Sequence, residues 1–382
     1  MLKGKIELLK NTNMIDFAVD MCKILQNSDD APQDLLLRRA QVIDSLMKSE
    51  KAVAPMVKFL SNPELVEELQ QDKEYNLSLL YEKFKFTDTD ISALYHHAKL
   101  QFECGNYSVA AEFLDQFRQL SNKNDQLLSA TWGRLASAIL MQDFEGAMED
   151  LMRLKDYIDN TQYVSHSVQL VHRTWLLHWS LFVFFNHVNG RNAIIDLFLQ
   201  ERYLNTIQTT CPHLIRYVAT AVICNKRRRN MLRDVVRIIQ QDKARYEDPV
   251  TQFIECLCID YDFDAAEEKL AECGELLMKD FFLVACRDEF VENGRLYLFE
   301  HFCRINRVID IKTISERLHM DEDTAQSWII NLIKSNKLNA KIDAEKGTIM
   351  MTVAEPDIHE QIIEKTRHQL NKAKLMAEVL GA

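Results

Sequence analysis

His359-Glu360-Gln361-Ile362-Ile363 is the nearest approach to catalytic spacing in this chain. In a zinc hydrolase, H-E-x-x-H on a helix sets two imidazoles on one face to hold the metal while the glutamate activates water. Here Ile363 stands where the second histidine belongs, so a ligand is missing and the chemistry fails. Cys256-x-Cys258 has no second pair to complete a tetrahedral site, and His96-His97 has neither a cysteine nor a carboxylate at coordinating spacing. GxxxxGK[ST], whose amides cradle phosphate, GxGxxG, which approaches a dinucleotide, and GxSxG, which presents a nucleophilic serine, are all absent. The residues predict a protein that is not an enzyme and has no cofactor or metal site.

One charge feature is sharper. Lys226-Arg227-Arg228-Arg229, with Arg233 and Arg237 following on a helix, is a basic island in a chain of net charge −11. A solvated loop and helix start accounts for it; the functional reading is contact with RNA phosphate or with an acidic partner surface. The negative total argues against wholesale coating of nucleic acid and fits a soluble protein that meets specific partners. Nine cysteines, scattered apart from Cys256-x-Cys258, read as reduced buried thiols of an intracellular protein. The N-terminal MLKGKIELLKNTNM lacks the apolar core of a signal peptide. Trp175 to Phe185 is the most apolar run, about eleven residues where a membrane span needs about twenty. It reads as a helix buried on all sides, with His178 and Trp179 as satisfied interior groups and no membrane contact.

Helices must position whatever these residues do. Nine Gly and six Pro among 382 residues fall well short of a usual share of roughly 12% for the two together, which leaves few tight turns. In the middle of the chain, ECGNYSVAAEFL, LMQDFEGAMEDL and DYDFDAAEEKL share one pattern. An aromatic (Tyr107, Phe144, Phe263) is followed by Ala (Ala110, Ala147, Ala266), Glu (Glu112, Glu149, Glu268) and Leu (Leu114, Leu151, Leu270) at fixed offsets. The first two copies lie near the forty-residue step of stacked helix pairs, and the third lies close to three further steps on. The Ala sits where two helices cross closely, with Gly105-Asn106 turning the chain and Ala98 taking the matching small position. Ahead of the repeats, Met14, Phe17, Ala18, Met21 and Leu25 form an apolar stripe, Asn62-Pro63 starts a helix, and Thr87-Asp88-Thr89-Asp90 caps the helix that follows.

The last hundred residues change period. Two helical segments, Ile311 to Met320 and the stretch after Asp321, precede LNAKID and TIMMTV, which alternate around Ala344-Glu345-Lys346-Gly347 as a hairpin. That order is a winged helix. Asp321, Glu322 and Asp323 at the start of its second helix would repel phosphate, and Ala325, Trp328, Ile329, Leu332 and Ile333 form its core face, so sequence-specific DNA reading is disfavoured. After Pro356, Ile358, Ile362, Leu370, Ala373, Met376 and Leu380 make one apolar stripe about six turns long. The stripe either folds back on its own winged helix or enters a bundle with other chains.

The fold class predicted is all-α, a helical-repeat (TPR-like) solenoid followed by a winged-helix domain and a C-terminal helix. The expected divisions are 1–90, an N-terminal helical region; 91–280, the repeats; 281–353, the winged helix; and 354–382, the C-terminal helix. Repeats running into a winged helix resemble the PCI domain of scaffold subunits in the proteasome lid, the signalosome and eukaryotic translation initiation factor 3. GKIELLKNTNMIDFAVDM, QFECGNYSVAAEFL, LMQDFEGAMEDLMRLK, HWSLFVFFNHVNGR, IIDLFL and FFLVACRDEFVENGRLYLFEHFCRI resemble the E-subunit family of that initiation factor over nearly the whole chain. That family carries a further helical segment ahead of the counterpart of GKIELL.

The resemblance implies a cytoplasmic, non-enzymatic scaffold. Its implied partners are the other initiation factor 3 subunits, the small (40S) ribosomal subunit and the cap-binding scaffold factor, with mRNA recruitment as the outcome. It further implies that winged helices join through strand edges, here Ile342, Ile349 and Met351, and that Ile358, Ile362, Leu370, Met376 and Leu380 enter a bundle of helices from several chains. A lid or signalosome scaffold and a winged-helix nucleic-acid-binding regulator are the alternatives that stay open.

Overall fold

The computed structural model describes residues 2–9, 12–26, 32–60, 81–82, 84–121, 124–161, 165–306, 308–310, 327, 330, 340–343, 348–351, 362–363, 365–367, 369–370 and 372. Contacts divide the chain into two units, Met1–Cys211 and Pro212–Ala382, so the division falls inside the stretch 91–280. The first unit runs through α1 (Leu2–Leu9), α2 (Ile15–Gln26), α3 (Gln33–Leu60), α4 (Asp88–Cys104), α5 (Tyr107–Leu120), α6 (Asn124–Leu140), α7 (Phe144–Asn160), α8 (His166–Phe184), α9 (Gly190–Phe198) and α10 (Glu201–Thr210).

Local chemistry sets the helix starts. The Asp90 carboxylate accepts from the Thr87 backbone N–H at 2.9 Å and from its hydroxyl at 2.8 Å, while Asp88 and Asp90 place negative charge at the positive end of α4. α4 stops at Gly105, whose φ of +94° lies in the left-handed region that a Cβ disfavours. Asn62-Pro63 lies outside the described residues.

The three-copy pattern occupies equivalent helical positions. Tyr107, Phe144 and Phe263 each open a helix, preceded by Asn106, Asp143 and Asp262. Asp143 accepts from the Gly146 N–H and Asp262 from the Ala265 N–H, both at 3.1 Å, whereas Asn106 makes no such cap. Ala110, Ala147 and Ala266 are fully buried at 0% exposure, the Leu of each copy is buried, and the Glu of each copy faces solvent. Between the second and third copies the helices vary from 19 to 7 residues, so the pairs there are uneven.

The core of the first unit gathers Val53, Met56 and Phe59 of α3 with Ile91 and Leu94 of α4 and Phe117 of α5. Full burial of Phe117 alone contributes about 2–3 kcal/mol. Charge ties three helices together beside it. Asp150 of α7, with a side chain 3% exposed, lies 2.9 Å from Arg118 of α5 and 3.3 Å from Arg134 of α6. Both arginines also reach Asp115, at 2.7 and 2.9 Å, so each guanidinium stands between two carboxylates.

Two expectations about buried faces are corrected. On α2 the buried positions are Ile15, Ala18, Val19 and Cys22, while Phe17 and Leu25 are exposed. IDFAVDMCKIL carries apolar residues around its circumference, so two stripes share Ala18, and packing on neighbours selects between them. α8 is not buried on all sides: Leu176, Leu177, Ser180, Leu181, Val183 and Phe184 are covered, but Trp175 stays 57% exposed. His178 is satisfied as expected, since its Nδ1 lies 2.7 Å from the Thr174 carbonyl.

The second unit contains α11 (Ile215–Cys224), α12 (Leu232–Asp242), α13 (Pro249–Glu255), α14 (Phe263–Lys279) and α15 (Arg287–Ile305), then β1 (Val308–Asp310), β2 (Ala340–Asp343) and β3 (Thr348–Met351). Asp248 caps α13, accepting from the Thr251 N–H at 2.8 Å, with Pro249 at the first helical position. Gly294 sits inside α15, where Gly costs about 1 kcal/mol relative to Ala. A Cβ there would lie 2.5 Å from Leu270 Cδ1, so the Leu270 side chain would have to shift where α14 and α15 cross.

Candidate functional site

The expected wing is present as a pair of strands. β2 and β3 are antiparallel, with Ile342 opposite Ile349 and Asp343 opposite Thr348, and the connecting 344–347 lie outside the described residues. A third strand changes the edge. β1 also pairs with β3, Ile309 opposite Ile349, giving the order β1-β3-β2. Ile349 and Met351 therefore stand on the central strand, and Ile349 is fully buried. For Ile349 the expected place on a free edge is overturned, because it faces Ile309 on one side and Ile342 on the other, while Met351 pairs with Ala340 of β2 alone among the described residues. Ile342, on the outer strand β2, keeps an edge position among the described residues. Three residues are too few for an alternation to announce β1 in the sequence.

Of the two winged-helix helices, only Ser327 and Ile330 are described, both helical; Ile311–Met320, Asp321–Asp323 and Trp328 lie outside the described residues. In the C-terminal segment, residues 362–363, 365–367, 369–370 and 372 are helical. Ile362 and Leu370 of the stripe are 55% and 54% exposed, so the stripe is uncovered at these two positions, and the neighbouring Ile363 is 59% exposed. Ile358, Ala373, Met376 and Leu380 lie outside the described residues.

The basic island forms the joint between α11 and α12. Lys226–Met231 is a 3-10 turn interrupted at Arg228, which is half-buried, and for Lys226, Arg227 and Arg229 the backbone alone is described. Arg233 and Arg237 lie one turn apart on the exposed side of α12, opposite buried Val235, Ile238 and Ile239. Neither forms an ion pair among the described residues, so both charges are free to meet an anion.

The near misses for chemistry fall in structural roles. His97 is 4% exposed with its Nδ1 2.9 Å from the Ser49 hydroxyl, and burial pulls its pKa below the ordinary imidazole value. Cys258 Sγ lies 3.9 Å from His301 Nε2 in the middle of a π-helical turn, Cys256–Asp260, and burial raises the Cys256 thiol pKa. A raised thiol pKa makes Cys256 a poor nucleophile. Among the described residues no three His, Cys, Asp or Glu side chains are grouped to hold a metal ion, and no helix is long and apolar enough to cross a membrane.

Comparison with known proteins assigns both ends of the chain. Residues 1–101 match the family model described as eIF3 subunit 6 N terminal domain, and residues 270–353 match the PCI domain. A protein of Arabidopsis thaliana, named as the E subunit of eukaryotic translation initiation factor 3, is 48% identical over 377 residues, 96% of this chain and 86% of its own length. Proteins of the same name from Bombyx mori and Aspergillus fumigatus are 43% and 40% identical, covering 96% and 100% of this chain and 84% and 86% of their own.

Proposed function

The chain belongs to the E-subunit family of eukaryotic translation initiation factor 3, and from that premise we propose that it is a non-catalytic, cytoplasmic scaffold subunit of the multisubunit factor. It supports assembly on the small ribosomal subunit and recruitment of mRNA, with the other PCI subunits and the cap-binding scaffold factor as partners. The observation that carries this reading is a relationship running the length of the chain, the N-terminal model included, where a lid or signalosome scaffold would share the PCI module alone. Mass spectrometry of proteins that co-purify with the tagged chain tests it. Initiation factor 3 subunits and 40S proteins are expected; lid or signalosome subunits in their place would reject it.

Assembly is read onto two surfaces. Ile362 and Leu370 offer apolar groups that this chain does not cover, which suits a helix bundle built from several subunits. The outer strand β2 offers a second surface, since an edge carries free N–H and C=O groups. Ile362→Asp with Leu370→Asp is expected to leave the melting temperature of the isolated chain unchanged and to cut incorporation into the complex severalfold. A drop in melting temperature with normal incorporation would mean that the helix serves its own fold.

The basic island supplies an RNA contact in this reading. Arg233→Glu with Arg237→Glu, both on an exposed face, should weaken 40S or RNA association and lower the slope of log K against log salt by about 1–2. An unchanged slope across a salt series would leave these side chains as solvated surface.

A further inference from the structure

Three of the four tryptophans of the chain, Trp132, Trp175 and Trp179, line a single groove in the first unit. The groove runs over α4, α6 and α8, with a volume of about 500 Å³, within the range of sites that seat specific ligands. Its shape follows from residue size. Gly133 and Ala136 of α6 leave room beside the large rings of Tyr95 and Phe102 of α4 and Trp175 and Trp179 of α8, with Leu114 Cδ1 lying 3.0 Å from where a Cβ on Gly133 would stand. The Tyr95 hydroxyl lies 2.6 Å from the Ser129 hydroxyl, joining α4 to α6 within the lining. Val171 and Trp175 remain 53% and 57% exposed at its rim.

The charge of the groove is one-sided. Among the described residues Lys99 is the only Lys or Arg in the lining, and it is exposed with neither an ion pair nor a hydrogen bond. His172 beside it is biased to its neutral form by burial. Among the described residues no carboxylate lines the groove, although acidic residues outnumber basic ones in the chain by 57 to 46. A single cation is too little to track a nucleic-acid backbone, and its charge repels a cationic ligand seeking an aromatic cage.

We propose that this groove docks a peptide segment carrying bulky apolar side chains beside a carboxylate, the apolar groups seated among the tryptophans and the carboxylate paired with Lys99. Tryptophan anchors in a trough, with one charge to fix register, are the features by which a short segment is held and oriented. The site goes beyond assembly through the winged helix and depends on none of it.

The test selects peptides from a random library on the full chain, then titrates one of them by tryptophan fluorescence. Selected peptides are expected to combine aliphatic or aromatic residues with Asp or Glu. Trp175→Ala and Lys99→Glu should each weaken binding about tenfold without moving the melting temperature, and Lys99→Glu should recover affinity for the peptide whose acidic residue is replaced by Lys. Enrichment of basic peptides, affinity indifferent to both variants, or binding of oligouridylate tighter than of any peptide would overturn the proposal. So would self-association of the chain lost in Trp175→Ala while no peptide binds. A chain that takes no peptide yet still co-purifies with initiation factor subunits refutes the groove and leaves the scaffold reading standing.

Discussion

Replacing Ala147 by Leu should lower the melting temperature by about 5–10 °C, the equivalent of roughly 2–3 kcal/mol. Ala147 is at 0% exposure on α7, one turn in from the capping Asp143, and α7 packs on both α6 and α8. Three added heavy atoms have no void to enter, so the helices must separate or the side chain must leave its rotamer wells. The neighbouring ion-paired core raises the effect. Asp150, nearly one turn on, holds Arg118 and Arg134 within 2.9 and 3.3 Å, and a displaced α7 lengthens both contacts. Gln142 is the matched control. It is exposed, but its φ of +63° places it in the left-handed region, so Gln142→Gly should be neutral or slightly stabilising. Thermal denaturation of the two variants side by side checks the pair, and equal melting temperatures would remove the close-crossing role assigned to the repeated alanines.

Arg216→Ala should cost about 3 kcal/mol in the second unit, the low end of the range for stranding a buried charge. Arg216 Nε lies 2.6 Å from Asp248 and its Nη1 3.4 Å from Asp280, and those carboxylate side chains are only 5% and 9% exposed. Removing the guanidinium leaves two near-buried anions facing each other's field. Other donors soften the loss. Asp248 also accepts from the Tyr246 hydroxyl at 3.0 Å and the Thr251 N–H at 2.8 Å, and Asp280 from the Tyr217 hydroxyl at 3.0 Å and the Phe282 N–H at 3.0 Å. Burial, with the nearby Asp280 charge, pushes the Tyr217 hydroxyl up to about 12, so it stays a donor through the physiological range. Calorimetry of Arg216→Ala, alone and with Asp280→Asn, separates the causes. Partial recovery in the double variant is expected; if the double variant loses as much as the sum of the singles, stranded charge is not the cause.

Where the physics is local, the sequence read true. Thr87 to Asp90 mark a helix start, and α4 begins there. The spacing of aromatic, Ala and Leu placed three buried alanines correctly because a single helix fixes which residues share a face. The β2–β3 pairing was legible for the same reason, its strands being only four residues apart in the chain.

What the sequence left undecided depends on groups far apart in the chain. Periodicity shows that α2 has an apolar face, yet the choice of Ile15, Ala18, Val19 and Cys22 over the stripe through Phe17 and Leu25 is made by what packs against it. β1 finds β3 some forty residues later, and that pairing moved Ile349 from a supposed edge to the centre of the sheet. Arg216 meets carboxylates 32 and 64 positions away. Trp175 and Trp179 read as part of a helix buried on all sides, and only the stacking of α4, α6 and α8 sets them with Trp132 around one groove with Lys99 at its side. The sequence by itself determined the helix start at Thr87, the buried alanines of the repeats, the hairpin strands and the family, because capping and periodicity act over a few residues and family likeness lies in the residues themselves. Tertiary structure decided which faces are buried, which strand is central and where an uncovered aromatic surface remains, because burial is a property of the whole packed unit and no single segment carries it.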